Sequence, residues 1–573
     1  MSIDPITAPP TDEELAGLPA LAPRLAEVLR DLGYGVAGLR QLLGDAGLAA
    51  LDRGEPEAVV RSIHLALDRP GLAATVAAFI VGDPVDLVPW LGEDFVAECL
   101  ACGVLREVHG RNGAGGNDVR HVAAIDVRPV EVDGVERLVF SDRDASMTAH
   151  VPGPDHVLGV GRASRSLLDI TPTDPVGSVL DLGTGCGVQA LGQHRAGSIT
   201  ATDVHPRACL YASATLAAAG LDSSEQVVSE PSSEVIEGSW FHPVAGRRFD
   251  RIVANPPFVV GVPEVGHVYR DSGLDLDGAT ELMLREVPDH LEPDGTAHLL
   301  GAWAHVDGED WTTRVASWLP KEGVEAWIIQ RDVVDPAAYV GTWLRDESID
   351  PRGPEGRAKT RTWLDHFAAH GVTGIGFGYV TIQRIDGPSS ITCEDMPQPL
   401  GGPFRDEAAE WLLRTAWLRD RNAAGILDAR FRVRPGVAVE RVELAGSAHD
   451  PEQGFSPAAL RITRTDGPRW SHDTDDSIVR ILSAITPDAP LSTVLDVMAM
   501  LGALPEDGLG EIREALVPVI VDLVRHGLVL PAELLGGGDD DAAGDRAATA
   551  DHAEATDEKD EKDEKGEKEE EKR

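Results

Sequence analysis

The sequence predicts an α/β chain built on a doubly wound, mostly parallel sheet. Three observations predict it, each a short segment that runs into polar or turn residues. Val179-Leu180 leads into Asp181-Leu182-Gly183-Thr184-Gly185-Cys186-Gly187. Ile199–Ala201 leads into Thr202-Asp203. Arg251–Ala254 leads into Asn255-Pro256-Pro257-Phe258. Buried parallel strands read as brief apolar runs. In open α/β sheets the ligand crevice lies outside their C-terminal ends.

Residues 1–148 read as an accessory region. Thr11 and Glu14 have capping-box spacing ahead of an apolar periodic run over 18–32. Further helices are expected over 36–51, 56–67, 72–80 and 93–102. Strands are expected over 119–130 and 135–140, joined through Asp133-Gly134, a strong hairpin signal. Helices followed by a hairpin suggest a winged-helix-like domain.

Residues 149–388 carry the α/β pattern. A lead-in helix is expected over 157–168, then strand one over 178–182 and a helix over 188–194. Strand two follows over 198–203, a helix over 206–219, and a weak strand three near 226–229. Strand four spans 251–254, followed by a long loop over 259–278 and a helix over 279–290. Glu292-Pro293-Asp294-Gly295 reads as a turn. Strands five and six fall at 296–301 and 324–330. Alternating Ile375, Phe377, Tyr379 and Ile382 mark a last strand over 372–385. Alternating β and α elements argue for a parallel sheet.

Residues 400–535 form a further expected domain. A helix over 406–419 precedes strands over 426–433, 438–444 and 458–464. Helices over 475–485, 491–501 and 509–526 and a strand over 528–530 follow. The order is winged-helix-like. Its third helix is mostly apolar and acidic, which favours packing or protein interaction over DNA reading. Residues 536–573 repeat Asp-Glu-Lys and lack the apolar residues needed to order, so a disordered tail is expected.

The net charge of −45 excludes broad electrostatic binding to nucleic acid. The segment 539–573 contributes 16 acids and seven bases, leaving the body at about −36. Five scattered cysteines exclude a disulfide framework. No apolar stretch is long enough to span a bilayer, and no signal peptide is visible, so no membrane association and a cytoplasmic location are expected. Cys99 and Cys102 form a lone CxxC without the two further ligands that zinc needs, and no metal is expected.

The glycines of Asp181–Gly187 permit a sharp turn against which a ligand lies without Cβ clashes. Asp203, 22 positions beyond Asp181, ends the next strand. An acid there accepts hydrogen bonds from ribose hydroxyls, compatible with NAD or with S-adenosylmethionine. Asn255-Pro256-Pro257-Phe258 distinguishes the two. Asn255 offers a side-chain oxygen and Pro256, which lacks an N–H, only its carbonyl. Two acceptors on a restricted backbone fix a planar NH₂ group, and Phe258 supplies a flat face. Cys186 reads as a small filler, His205 as a surface loop residue, and Arg270 and Asp271 as substrate-loop candidates.

With these residues the chain resembles the class I S-adenosylmethionine-dependent methyltransferases that methylate planar nitrogens at an NPPF-type motif. Within that group it is most similar to the release-factor glutamine-N5 methyltransferases. Asp181–Gly187, Asp203, Gly238-Ser239-Trp240-Phe241 and Asn255–Phe258 carry the likeness, which covers residues 176–386 of 573. It implies a Rossmann-like methyltransferase core and S-adenosylmethionine as cofactor. It places Asp181, Gly183, Thr184, Gly185, Cys186, Gly187, Asp203, Trp240 and Asn255 around that cofactor. Gly183–Gly187 would face the methionine part, Asp203 the ribose and Trp240 the adenine. Asn255, Pro256, Pro257 and Phe258 would hold the acceptor, a glutamine amide in that family.

Phe258 departs from the family's usual tyrosine and is more typical of guanine-N2 RNA methyltransferases. The N-terminal region differs from the release-factor family's helical domain, and the C-terminal domain is extra. A protein substrate is favoured by the acidic body. An RNA or DNA base (guanine-N2 or adenine-N6) and a non-catalytic cofactor-binding module are the alternatives.

Overall fold

The structure is a computed structural model that describes residues 8–65, 68–111, 117–148, 150, 152–221, 232–266, 271–402, 404–445, 454–505 and 507–535. It divides into two compact units, Met1–Pro399 with Pro403–Ala408, and Leu400–Gly402 with Ala409–Arg573. The segment 536–573, expected to be disordered, lies outside the described residues.

The first unit is organised on an eight-stranded sheet. Its strands are β1 (Ser178–Leu182), β2 (Ser198–Asp203), β3 (Ser232–Glu237), β4 (Phe249–Ala254), β5 (Leu291–Val306), β6 (Glu322–Val334), β7 (Val372–Pro388) and β8 (Ser390–Asp395). The spatial order is β8-β6-β7-β5-β4-β1-β2-β3. Only β7 runs against its neighbours, antiparallel to both β5 and β6. The connecting helices include α1 (Arg162–Ile170), α2 (Val188–Gly192), α3 (Pro206–Ala218), α4 (Gly278–Glu286), α5 (Trp311–Ala316), α6 (Pro336–Asp346) and α7 (Pro354–Ala369).

Strands β1 and β2 coincide with the expected ones. The strand expected near 226–229 falls on residues outside the described ones, and β3 begins at Ser232. Its sequence Ser-Ser-Glu-Val-Ile-Glu lies at the sheet edge and stays half-exposed, so no apolar run announces it. Glu292–Gly295 is not a free turn. It is an irregularity inside β5, with Asp294 at φ 62° and a register shift against β4. Strand β8 was not expected, because Ser390–Asp395 carries polar residues at an edge position.

In the N-terminal region, Thr11 and Glu14 form the expected capping box, but on a four-residue helix, Asp12–Leu15, that precedes Leu18–Asp31. The expected strand over 119–130 is two strands, Asn117–Ala123 and Asp126–Val132. Val132 pairs with Val135 across Asp133-Gly134, at φ 51° and 74°, the left-handed values that a tight two-residue hairpin needs. Leu105–Arg111 pairs with Asn117–Ala123 as a second hairpin.

The expected boundary near 148 does not separate compact units. Leu18, Leu25, Tyr34 and Phe95 share one buried cluster with Val179, Ile199, Tyr211 and Leu216. A buried ion pair crosses the same junction. Arg207 on α3 donates from Nε to Asp142 Oδ2 at 2.8 Å and from Nη2 to Oδ1. Its Nη1 donates to the Pro10 carbonyl at 2.7 Å. Tyr211 O–H and the Val157 N–H complete the Asp142 carboxylate at 2.8 Å each. Burial alone would raise the Asp142 pKa, but the Arg207 guanidinium outweighs it and holds the carboxyl below its ordinary value.

The second unit has a helix over Arg405–Arg419, begun by residues of the first. A three-stranded antiparallel sheet follows (Val437–Ala445, Phe455–Arg464, Ser471–Asp473), then helices Asp476–Ala484, Leu491–Met500 and Leu509–Arg525. The strand expected over 426–433 is corrected. Asn422 caps a short helix, Ala423–Asp428, by accepting from the Gly425 N–H at 3.0 Å, and only Phe431–Val433 is extended, paired with Val529–Pro531.

Arg207→Met leaves the buried Asp142 carboxylate unpaired and is expected to destabilise the first unit by about 3–5 kcal/mol in urea unfolding. In the wild type Asp142 is depressed, so its contribution is present above the ordinary carboxylate pKa and is lost as pH falls below it. In the variant the same carboxyl gains a proton readily. The difference between the two proteins therefore shrinks on acidification, from the raised pKa of the variant's carboxyl down through the lowered one of the wild type. A difference independent of pH would contradict this account of the pair.

Candidate functional site

Strand pairing assembles the site. Leu182 sits opposite Thr202 on one side and Ala254 on the other, all in parallel register. The residues that follow them, Gly183, Asp203 and Asn255, therefore emerge at the same edge of the sheet.

The glycine turn folds over this edge. Gly183, Gly185 and Gly187 have φ of 71°, 54° and 81°, values that disfavour any side chain. The N–H groups of Gly183 and Thr184 both donate to the Thr202 carbonyl at 2.9 Å. A Cβ on Gly187 would lie 3.0 Å from the Ala212 Cα, whereas one on Gly185 would meet open space. A Cβ on Gly183 would lie 4.0 Å from the Pro256 Cα, so the turn and the Asn-Pro-Pro-Phe segment face each other.

Asp181 is fully buried beneath the turn. Its Oδ2 accepts from the Thr184 hydroxyl at 2.7 Å and the Ala190 N–H at 2.9 Å, while Oδ1 has no partner among the described residues. Burial pushes its pKa up to about 7, against the two hydrogen bonds. Its role is to hold the turn from below. Thr184 is buried with it.

Asp203 is half-buried at the end of β2. Oδ2 accepts from the Gly185 N–H and Oδ1 from the His205 N–H, both at 3.0 Å. Each oxygen keeps a second lone pair for a ligand hydroxyl. Burial raises its pKa. The Gly238 N–H donates to the Asp203 carbonyl at 2.8 Å, which draws the loop carrying Trp240 to this strand end. Trp240 holds φ 48°, a costly conformation for a bulky residue, and its indole stays half-buried against the cluster of Phe241 and Val244.

Asn255 is half-buried, and its side chain makes no hydrogen bond to the described residues; the Pro256 carbonyl accepts none from them either. Pro257 is half-buried. Phe258 packs against a cluster containing Val259, Val260, Tyr339 and Trp363. The Tyr339 hydroxyl accepts from the Val260 N–H at 2.7 Å, fixing the backbone just past the motif. This support from α6 and α7 was not legible in the sequence, because Tyr339 and Trp363 lie about 80 to 105 positions from the motif.

Cys186 is buried, and burial pushes its thiol up to about 12, which makes it inert at neutral pH and suits a filler. His205 is half-buried, with Nδ1 unpartnered among the described residues. Arg270 lies outside the described residues; Asp271 accepts from the Gly266 N–H at 2.9 Å. Cys99 is buried, and burial lifts its thiol to about 12, consistent with a packing role.

S-Adenosylmethionine fits these residues on three counts. The turn leaves room above Gly185. Asp203 presents a half-buried carboxylate at the β2 end. Acceptors of Asn255 and Pro256 without a partner among the described residues lie on the facing segment. Among the described residues, no helix is long and apolar enough to cross a membrane.

Parts of the chain are similar to known proteins. Residues 158–300 match the methyltransferase small domain, and residues 31–115 and 409–531 match two domains of unknown function. A release factor glutamine methyltransferase of Cereibacter sphaeroides is 32% identical over 145 residues, 23% of this chain and 49% of that protein. A second, from Shewanella oneidensis, is 32% identical over 160 residues, 26% and 51% of the two chains. A ribosomal protein uL3 glutamine methyltransferase of Bradyrhizobium diazoefficiens is 30% identical over 194 residues, 31% and 57%. The chain spans about half the length of the curated relatives it matches. The solved T. thermophilus 16S rRNA N2 G1207 methyltransferase, in complex with AdoMet and guanosine, aligns at 18% identity over 48% of this chain and 66% of its own, with a TM-score of 0.24. The match to the methyltransferase small domain, residues 158–300, contains the glycine turn, Asp203 and Asn255–Phe258 together.

Proposed function

We propose that the chain transfers a methyl group from S-adenosylmethionine to a planar amide nitrogen, and that a glutamine side chain of a protein is its acceptor. The observation that carries this reading is a pair of oxygens, Asn255 Oδ1 and the Pro256 carbonyl, that have no partner among the described residues and lie on a segment that faces the glycine turn. The bound cofactor supplies an electrophilic methyl carbon on a sulfonium sulfur. Everything else falls to the chain's own residues. Asp203 orients the cofactor through its ribose, and Trp240 packs on its adenine. Asn255 and Pro256 each accept one N–H of the amide, which aims the nitrogen lone pair at the methyl carbon. A bound cofactor would give up its methyl and keep the C–S electron pair, while the nitrogen held by Asn255 and Pro256 would release its proton to solvent. Such alignment needs no strong base, and none lies beside Asn255 in the sequence.

The names of the relatives support a glutamine acceptor, and the body charge favours protein over nucleic acid. Labelled S-adenosylmethionine incubated with the full chain and cell extract tests the substrate class. Label is expected to vanish with protease and survive nuclease. The reverse pattern would identify a nucleic-acid base instead.

Asn255→Ala is expected to lower turnover by about 10²-fold or more and to weaken cofactor binding far less, because it chiefly removes the alignment of the acceptor nitrogen. Asp203→Ala is expected to weaken S-adenosylhomocysteine binding by about 10- to 100-fold in calorimetry, the loss of charge-assisted hydrogen bonds worth about 1.5–3 kcal/mol. Unchanged binding in Asp203→Ala would remove the ribose assignment.

A further inference from the structure

Away from the crevice, three side chains with metal-ligating atoms converge. Asp275 lies near the end of the segment that follows Phe258. His366 sits in the last turn of α7, and His370 caps it. His366 Nε2 is 2.8 Å from Asp275 Oδ1, and His370 Nε2 is 3.9 Å from Asp275 Oδ2. The three ligand atoms all lie within 4.8 Å of one another. A tetrahedral Zn²⁺ with bonds of about 2.0–2.2 Å holds its ligand atoms about 3.3–3.6 Å apart, between the two separations observed.

One of the two imidazoles is supported as ligating histidines are. His370 Nδ1 lies 2.9 Å from the His366 carbonyl, which only accepts, so Nδ1 carries the proton. In the neutral ring that leaves the Nε2 lone pair directed toward the Asp275 carboxylate. Either a proton on Nε2 or a metal ion between the two atoms satisfies this pair, and a backbone carbonyl on the far nitrogen is the usual support of a ligating histidine.

The scaffold is equally fixed. Trp363 and Phe367 of α7 are buried with Val259 and Val260. A Cβ on Gly261 would come within 2.8 Å of the Trp363 ring, and Gly261 bridges to Leu276, the neighbour of Asp275. The ligand side chains are 19, 51 and 41% exposed for His366, Asp275 and His370, open enough for an ion and a water to enter. Asp275 and His366 are 91 positions apart, so no spacing in the sequence announces them.

We propose that Asp275, His366 and His370 form a Zn²⁺ site with one open position, and that the ion ties the segment after Asn-Pro-Pro-Phe to α7. Two imidazoles and a carboxylate suit zinc and poorly suit magnesium or calcium, which take oxygen ligands. The site does not depend on the methyl-transfer reading.

The test uses the full chain, stripped with chelator and titrated with Zn²⁺, Mg²⁺ or Ca²⁺ by calorimetry. One equivalent of Zn²⁺ is expected to bind, at least about tenfold tighter than to His370→Ala and to His366→Gln. Mg²⁺ and Ca²⁺ are expected not to compete. Hydrogen exchange gives an independent readout. Zn²⁺ is expected to slow the amides of Leu274–Asp277 in the wild type and not in His370→Ala. Zn²⁺ binding equally well to the variants, or slowing no amide of that segment, would overturn the proposal. His370 is exposed and outside the core, so its removal leaves the fold intact.

Discussion

Parallel pairing of β1 with both β2 and β4 is the constraint on which the rest of the site depends. With Leu182 opposite Thr202 and Ala254, the chain leaves the sheet at three adjacent points. A one-residue slip would send every β1 side chain to the other face. Buried Val179, Leu180, Ile252 and Val253 oppose that slip, because each belongs to a core cluster. The apolar interior thus determines which polar residues meet. The thermodynamics of packing and the placement of Gly183, Asp203 and Asn255 are one property of the sheet.

The supports around this edge act in different ways. Asp181 holds the glycine turn from beneath by hydrogen bonds at full burial. The Gly238 N–H draws the Trp240 loop to Asp203, and the left-handed backbone at Trp240 is tolerated because Phe241 anchors the next position in the core. On the acceptor side, Tyr339 and Trp363 fix the backbone after Phe258. Arg207 ties α3 to Asp142 after the hairpin and to the Pro10 carbonyl before the first helix, so residues before 149 are part of the same body as the sheet.

The glycine turn, Asp203 and Asn255–Phe258 were legible in the sequence because each is a local pattern at the end of an apolar run. Strands β1 and β2 were legible for the same reason. Strands β3 and β8 were not, since edge strands bury little and Ser232–Glu237 and Ser390–Asp395 are polar. The helix at Ala423–Asp428 was misread as a strand because its Ile and Leu carry no helical period over six residues, while the Asn422 cap decides it. Tyr339, Trp363, His366 and His370 were invisible for a different reason. They reach the motif and Asp275 only through tertiary packing across 80 to 105 positions, about which local propensity is silent.

In the proposed function one crevice holds S-adenosylmethionine at the β1 and β2 ends and the acceptor at the β4 end. A crystal structure of the full chain grown with S-adenosylhomocysteine tests it most directly. The ribose hydroxyls are expected within hydrogen-bond distance of Asp203, the indole of Trp240 against the adenine, and the sulfur directed toward Asn255 Oδ1 and the Pro256 carbonyl. A nucleoside bound elsewhere, or a sulfur directed away from Asn255–Phe258, would contradict it.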